Sequence, residues 1–246
     1  ACAEAGSPPI AAIGVGALGP CPVLLDAGLK PLARAPLFSL DANAEAERRR
    51  LVDRHGLDDT RLGPDHVIPR LMLWRNSRPE TMAKADVVVD AAGYLVAWLS
   101  GRPVMDPITA ADHRCEGLAQ PVRLPDILPA DSIAGGLTVE AAARLGLGRG
   151  TPVVTGTYDS HADLAGAGVM APGDGGLLLG STMILGAVAG ADFDTGPAPG
   201  VGLRATRHLG TGTFVGGWTS TSGSLVDWSG TAFADASEGG DKPPLP

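Results

Sequence analysis

The sequence predicts a mixed-sheet α/β protein. Three observations carry this. Short apolar strands are interleaved with helices along the whole chain, Gly-rich hairpins occur at 180–182 and 210–212, and no internal repeat is visible. With 246 residues the chain has room for one large domain or two modest ones. A change of domain is expected at Ala171-Pro172-Gly173. Hydrophobic residues make up 44% of the chain but aromatics only 4%, so the core must be aliphatic, with the Trp residues as local anchors.

The elements follow in order. Residues 10–15 form a short apolar strand, and GVGALG at 14–19 then spells GxGxxG. A dinucleotide-binding reading needs a helix to open inside that motif. Pro20 and Pro22 prevent one. An oxidoreductase reading would stand only if residues 20–25 were helical. A second strand is expected at 23–26, making a β-meander with the first, and a third at 36–40, ending on Asp41. Helices are expected at 44–55, stopped by Gly56, at 69–76, and at 81–85 after Pro79-Glu80. Val87 to Val89 reads as a buried strand, and 91–100 as an apolar helix stopped by Gly101. Asp106-Pro107 reads as a turn, the stretch around 126–128 as a helix, and 138–145 as a helix between Thr138 and Gly146. A hairpin over 203–209 and 213–217 and a helix capped by Ser222 or Ser224 follow. Trp74 and Trp98 fall on apolar helix faces and read as core.

The net charge of −8 argues against a nucleic-acid or anionic-membrane surface. Cys2, Cys21 and Cys115 are too widely spaced for a metal motif and odd in number, which suits a reducing compartment. With no run of 18 apolar residues and no leader, a cytoplasmic protein is expected. The chain opens on Ala and closes on Pro-Pro-Leu-Pro, which reads as cut from something longer.

The most informative stretch is 151–186, TPVVTGTYDSHADLAGAGVMAPGDGGLLLGSTMILG. A strand over 152–155 delivers Asp159 into a Gly-bounded turn, a small-residue helix follows, and then a hairpin whose turn is Gly180-Ser181-Thr182. Phosphoryl transfer needs an acid to orient and deprotonate an alcohol, and backbone N–H groups to hold phosphate oxygens. Asp159 fits the first role, although Asp is also a common turn residue. Gly180-Ser181-Thr182 fits the second, although by itself it is an ordinary hairpin turn.

Taken together and in sequence order, several segments resemble the FGGY family of carbohydrate kinases. They are IAAIGVGALGPCPVLLDAGLKPL, PRLMLWRNSRPE, YLVAWLSGRPVMDPITAAD, the stretch LTVEAAARLGLGRGTPVVTGTYDSHADLAGAGVMAPGDGGLLLGSTMIL, and FVGGWTSTSGSLVDW. The resemblance implies the actin-like, ribonuclease-H-like ATPase fold. It also implies an ATP-dependent kinase acting on a ketose or polyol, with ATP and Mg²⁺ as cofactors. Asp159 takes the family's general-base position, and Gly180, Ser181 and Thr182 the position that handles ATP phosphates. Asp41 takes a sugar-contact position, with a strand-end turn as its other reading. Ala17 and Leu18 fall in the loop that lines the sugar pocket. His161 either supports Asp159, contacts the sugar, or is a plain helix-start histidine. No residue of the chain is assigned to the metal.

The expected division is a sugar-binding domain at 1–171, lacking its start, and part of a nucleotide-binding domain at 172–246. The expected partners are a sugar and ATP, with no nucleic acid and no membrane, and a homodimer is the assembly to consider. Departures from the family pattern bear on the sugar. Xylulose-type members carry Met-His where this chain has Ala17-Leu18, and the family's Asp-x-Arg after the third strand is Asp41-Ala42-Asn43 here. A family lysine is replaced by Leu71, beside Arg70, while Asp159-Ser160-His161 is closer to the Asp-Ala-His of ribulose-type members. The family's opening DxGTT/S hairpin has no counterpart here. A catalytically silent sugar-binding or regulatory remnant is therefore the alternative.

Overall fold

The computed structural model describes residues 9–35, 44–57, 62–63, 66–180, 183–193, 203–210, 212–219 and 222–234. The expected strand at 36–40 and Asp41, the turn residues Ser181 and Thr182, and the tail lie outside the described residues. The chain divides into two compact units, residues 1–162 and 163–246.

The first unit begins with β1 (Gly16–Ala17), β2 (Val23–Leu25), α1 (Glu45–His55), α2 (Val67–Ser77), α3 (Pro79–Lys84), β3 (Val87–Val89) and α4 (Ala91–Ser100). It continues with β4 (Val104–Met105), α5 (Pro107–Asp112), β5 (Asp126–Ile127), β6 (Ile133–Gly136), α6 (Val139–Leu145), β7 (Pro152–Val154) and β8 (Thr157–Tyr158). Helix α7 (Asp159–Gly166) crosses the division. The second unit holds β9 (Gly175–Leu179), β10 (Met183–Ala189), β11 (Arg204–Arg207), β12 (Thr213–Thr219) and α8 (Gly223–Ala234). The division thus falls inside α7, ahead of the turn at 171–173. Leu164 on that helix packs with Val169, Val188 and Phe214, which form the second unit's core.

Three expectations are corrected. Residues 10–26 are not a meander. Ile13 bridges to Val153 and β1 pairs with β8, both in parallel, whereas β2 pairs antiparallel with β3. Residues 126–127 are a strand, β5, parallel to β4, and not a helix. Asp106-Pro107 opens α5: the Asp106 carboxylate caps the helix by accepting from the Ile108 N–H at 2.9 Å, and Pro107 takes the first position, where a missing N–H costs nothing.

Other local rules hold. Asp90 caps α4 through the Ala91 N–H and Gly101 closes it in the left-handed conformation; Thr138 caps α6, which Gly146 closes in the same way. β3 is buried at every residue, as its Val-Val-Val sequence suggests. Together with β2 it separates two packed clusters: Val23, Leu25, Val87, Val89, Ala97 and Met105 on one side, and Leu24, Val67, Leu71, Trp74 and Val88 on the other. Trp74 is buried as expected, and Trp98 is half-buried beneath the Arg144 guanidinium, 6.0 Å from the ring centre.

Candidate active site

Asp159 is placed by a parallel ladder that runs out of the first unit's core. The Ile13 N–H donates to Pro152 O at 2.8 Å, and Val154 N–H to Ile13 O at 3.0 Å. Beyond Thr155 the ladder shifts by one residue. Ile13 is opposite Val153, but Gly16 is opposite Thr157 and Ala17 opposite Tyr158. The extra residue is taken up near Gly156, whose φ of +73° favours glycine and where a Cβ would run into the Val15 carbonyl. β8 therefore re-aims the chain after the shift, and α7 starts at its end with Asp159 as first helical residue.

The Asp159 carboxylate is exposed and accepts from the Ser160 N–H at 2.7 Å. In the facing strand Ala17 is half-buried, and Leu18 is 47% exposed one step beyond the Ala17–Tyr158 pair. His161 is half-buried, with Nδ1 3.4 Å from the Ser160 hydroxyl and its ring 6.2 Å from that of Tyr158, centre to centre. The structure thus gathers Ala17, Leu18, Asp159 and His161 at the adjoining ends of β1 and β8. Gly180 belongs to the second unit, exposed at the end of β9, where its carbonyl accepts from the Gly223 N–H at 2.8 Å.

Directly beneath the β1–β8 ends lies a buried polar network that the sequence did not reveal. Asp90 is fully buried, and its two oxygens accept from the Cys21 and Ala91 N–H groups, each at 2.8 Å. Burial pushes its carboxyl up to about 7, against the pull of those two N–H groups; the nearby Asp112 and Asp106 charges raise it further. Asp106 is also raised by burial, and it accepts a short hydrogen bond from the Thr109 hydroxyl. His113 is completely buried, and burial holds it down at about 4. It is therefore neutral at neutral pH. Its Nδ1 lies 3.0 Å from the Thr109 carbonyl, so that nitrogen is the N–H donor, which leaves Nε2 with its lone pair 3.7 Å from Asp90. The Tyr158 hydroxyl donates to Asp112 at 2.9 Å, and burial pushes the phenol well above its usual range. Arg70, also buried, donates to the Pro20 carbonyl at 3.2 Å and ties down the turn after β1. The available signals were the acids placed just ahead of helices, Asp90 and Asp106, which local reading assigns to capping alone.

The dinucleotide reading of GVGALG fails on geometry, because residues 23–25 are the strand β2 and no helix opens within the motif. Among the described residues, no group of three or more His, Cys, Asp or Glu is arranged to hold a metal ion. No helix among the described residues is long and apolar enough to cross a membrane.

No protein-family model matches the chain. A ribulokinase from Shouchella clausii is 29% identical over 160 residues, covering 57% of this chain and 28% of that protein. The solved xylulose kinase from Rhodospirillum rubrum superposes with a TM-score of 0.77 at 24% identity, covering 93% of this chain and 50% of the other. The glycerol kinase from Plasmodium falciparum, solved with ADP, gives a TM-score of 0.74 at 17% identity, with 92% and 50% covered. At these identities the structural matches establish the fold alone. The chain spans about a quarter of the ribulokinase's length and half of each solved kinase.

Proposed function

From its kinship in sequence and fold with the FGGY carbohydrate kinases, we propose that the chain is the sugar-side domain, with part of the nucleotide side, of an ATP-dependent carbohydrate kinase. The acceptor is a hydroxyl of a ketose or polyol. Asp159 is the general base. The observation that carries this reading is an exposed carboxylate at a strand-to-helix junction, beside Ala17 and Leu18 at the end of β1.

In this mechanism Asp159 accepts the hydroxyl proton as the oxygen attacks the γ-phosphorus in line, while the bond from that phosphorus to the β–γ bridging oxygen breaks and ADP leaves. The Ser160 N–H fixes one carboxylate oxygen and leaves the other for the substrate. Leu18 forms an apolar wall of the sugar pocket next to Ala17, and Asp41 and His161 contribute polar contacts to the sugar. Gly180, Ser181 and Thr182 present backbone N–H groups to phosphate oxygens. Bound ATP with Mg²⁺ supplies the phosphoryl group and neutralises its charge. The assembly is a cytoplasmic enzyme, as a homodimer or as a single chain.

The test is ADP release by the full-length protein with ribulose, xylulose and glycerol, the acceptors in the names of the related kinases. Sugar-stimulated release with at least one of them is expected. A second reading is favoured by one observation, the apolar Ala17-Leu18 pair in the pocket loop where xylulose-type kinases carry a histidine. On that reading the protein binds a sugar without phosphorylating it, and calorimetry shows sugar binding while ADP release stays at background for every acceptor.

A further inference from the structure

We propose that Tyr158 and Asp112 form a positioning pair that sets the direction in which Asp159 leaves β8; this rests on the reading of Asp159 as the base. The need for such a pair follows from the backbone. β8 is two residues long, it lies beyond the one-residue shift at Gly156, and it pairs with β1 at only two positions. A ladder that short leaves the junction with α7 weakly determined.

The side chain of Tyr158 supplies the missing constraint. It is buried to 5% exposure and lies directly against the backbone of Gly19, where an added Cβ would overlap the ring and come within 2.8 Å of Asp90 Oδ1. At its far end the hydroxyl donates to Asp112 Oδ2 at 2.9 Å. The phenol is thus held at both ends, by the turn after β1 and by α5, and the next residue in the chain is Asp159. Asp112 is the last residue of α5, where the helix end favours a cation over an acid. At that position its carboxylate accepts the phenol's hydrogen bond. Neither residue touches the reacting atoms. Their effect is on aim, and misplacement of a catalytic group by about 1 Å can cost about 100-fold in rate.

The experiment uses the full-length protein and whichever of ribulose, xylulose and glycerol it phosphorylates fastest. Tyr158→Phe keeps the ring packing and removes only the anchor. It is expected to lower kcat by about 10- to 100-fold while leaving KM for ATP within about twofold and the melting temperature within a few degrees. Asp112→Ala should match that loss. Asp112→Asn, which retains an acceptor oxygen, should recover most of it, and Tyr158→Phe combined with Asp112→Ala should be no worse than either alone. Unchanged kcat in Tyr158→Phe, or a loss accounted for by a smaller folded fraction, overturns the pair. Asp159→Asn, measured alongside, separates the two levels. If that variant is inactive while Tyr158→Phe is fully active, only the pair is wrong. If Asp159→Asn itself turns over normally, the base assignment fails and the pair fails with it.

Discussion

The β2–β3 pair of the first unit and the β9–β10 pair of the second handle apolar sequence in opposite ways. In the first, β2 and β3 are buried at every residue, and large side chains such as Leu24, Leu25 and Leu71 are almost or wholly removed from solvent. In the second, β9 and β10 alternate. One face turns inward with Leu178, Ile184 and Val188, while the other presents Leu177, Leu179 and Leu185 at 50%, 70% and 56% exposure. Leu177 and Leu185 are paired neighbours on that outer face, so the exposure is a contiguous patch rather than scattered residues. Patches of this kind mark surfaces that meet something else. The contrast teaches where rigidity is available. The carboxylate proposed to do chemistry issues from the first unit, over a buried polar network, and the hairpin proposed to handle phosphate belongs to the second.

Breaking the comparison is simplest at the cores. Leu24→Ala should destabilise the first unit by about 2–5 kcal/mol, read as a shift of the denaturant midpoint. Gly19→Ala should cost about 1–3 kcal/mol by overpacking, because the new methyl meets the Tyr158 ring and Asp90. By contrast, Leu179→Lys on the outer face should change the stability of the 246-residue chain by less than about 0.5 kcal/mol. A much larger loss for the same substitution in the full-length protein would show that further chain covers this face, and would sharpen the contrast into a domain interface.

The buried network gives a pH test of smaller effect. Asp90 is held at about 7 in the folded state against an ordinary 3.8, so folding retains a proton that the unfolded chain releases in that window. Its contribution is full below 3.8 and is lost as pH rises to about 7. His113 and His66 act in the opposite sense. Burial lowers both from 6.5 to about 4, so each loses stability as pH falls through that range. Asp90 offsets one of the two. Asp90→Asn removes the offset, so the variant's melting temperature should climb toward that of wild type between about pH 4 and about pH 7. A gap that stays constant across the range would mean that Asp90 does not titrate there.

Local chemistry made much of this legible in the sequence. Val87 to Val89 could only be a buried strand, Thr138 and Gly146 bracket a helix, and the apolar run over 91–100 ends at the glycine that closes it. Asp159 was visible as an acid in a turn after a strand, whereas β8, which leads directly into it as the first residue of α7, was not. What was not legible depends on partners distant in the chain. β5 has only two residues and exists because β4 pairs with it, so the helical reading of 126–128 had no local signal to correct it. The meander expected at the start failed for the same reason, since β1 finds its partner at Thr157-Tyr158 rather than in the next strand. The Tyr158–Asp112 contact joins residues 46 apart and leaves no periodicity to read.

The most direct test of the central claim is turnover by full-length Asp159→Asn against wild type, assayed by sugar-stimulated ADP release. Asn keeps the shape of the carboxylate and cannot accept the hydroxyl proton. The account predicts a fall in kcat of about 10²–10⁴ with the fold intact by circular dichroism. A kcat within about twofold of wild type would contradict it, and would remove Asp159 from the chemistry.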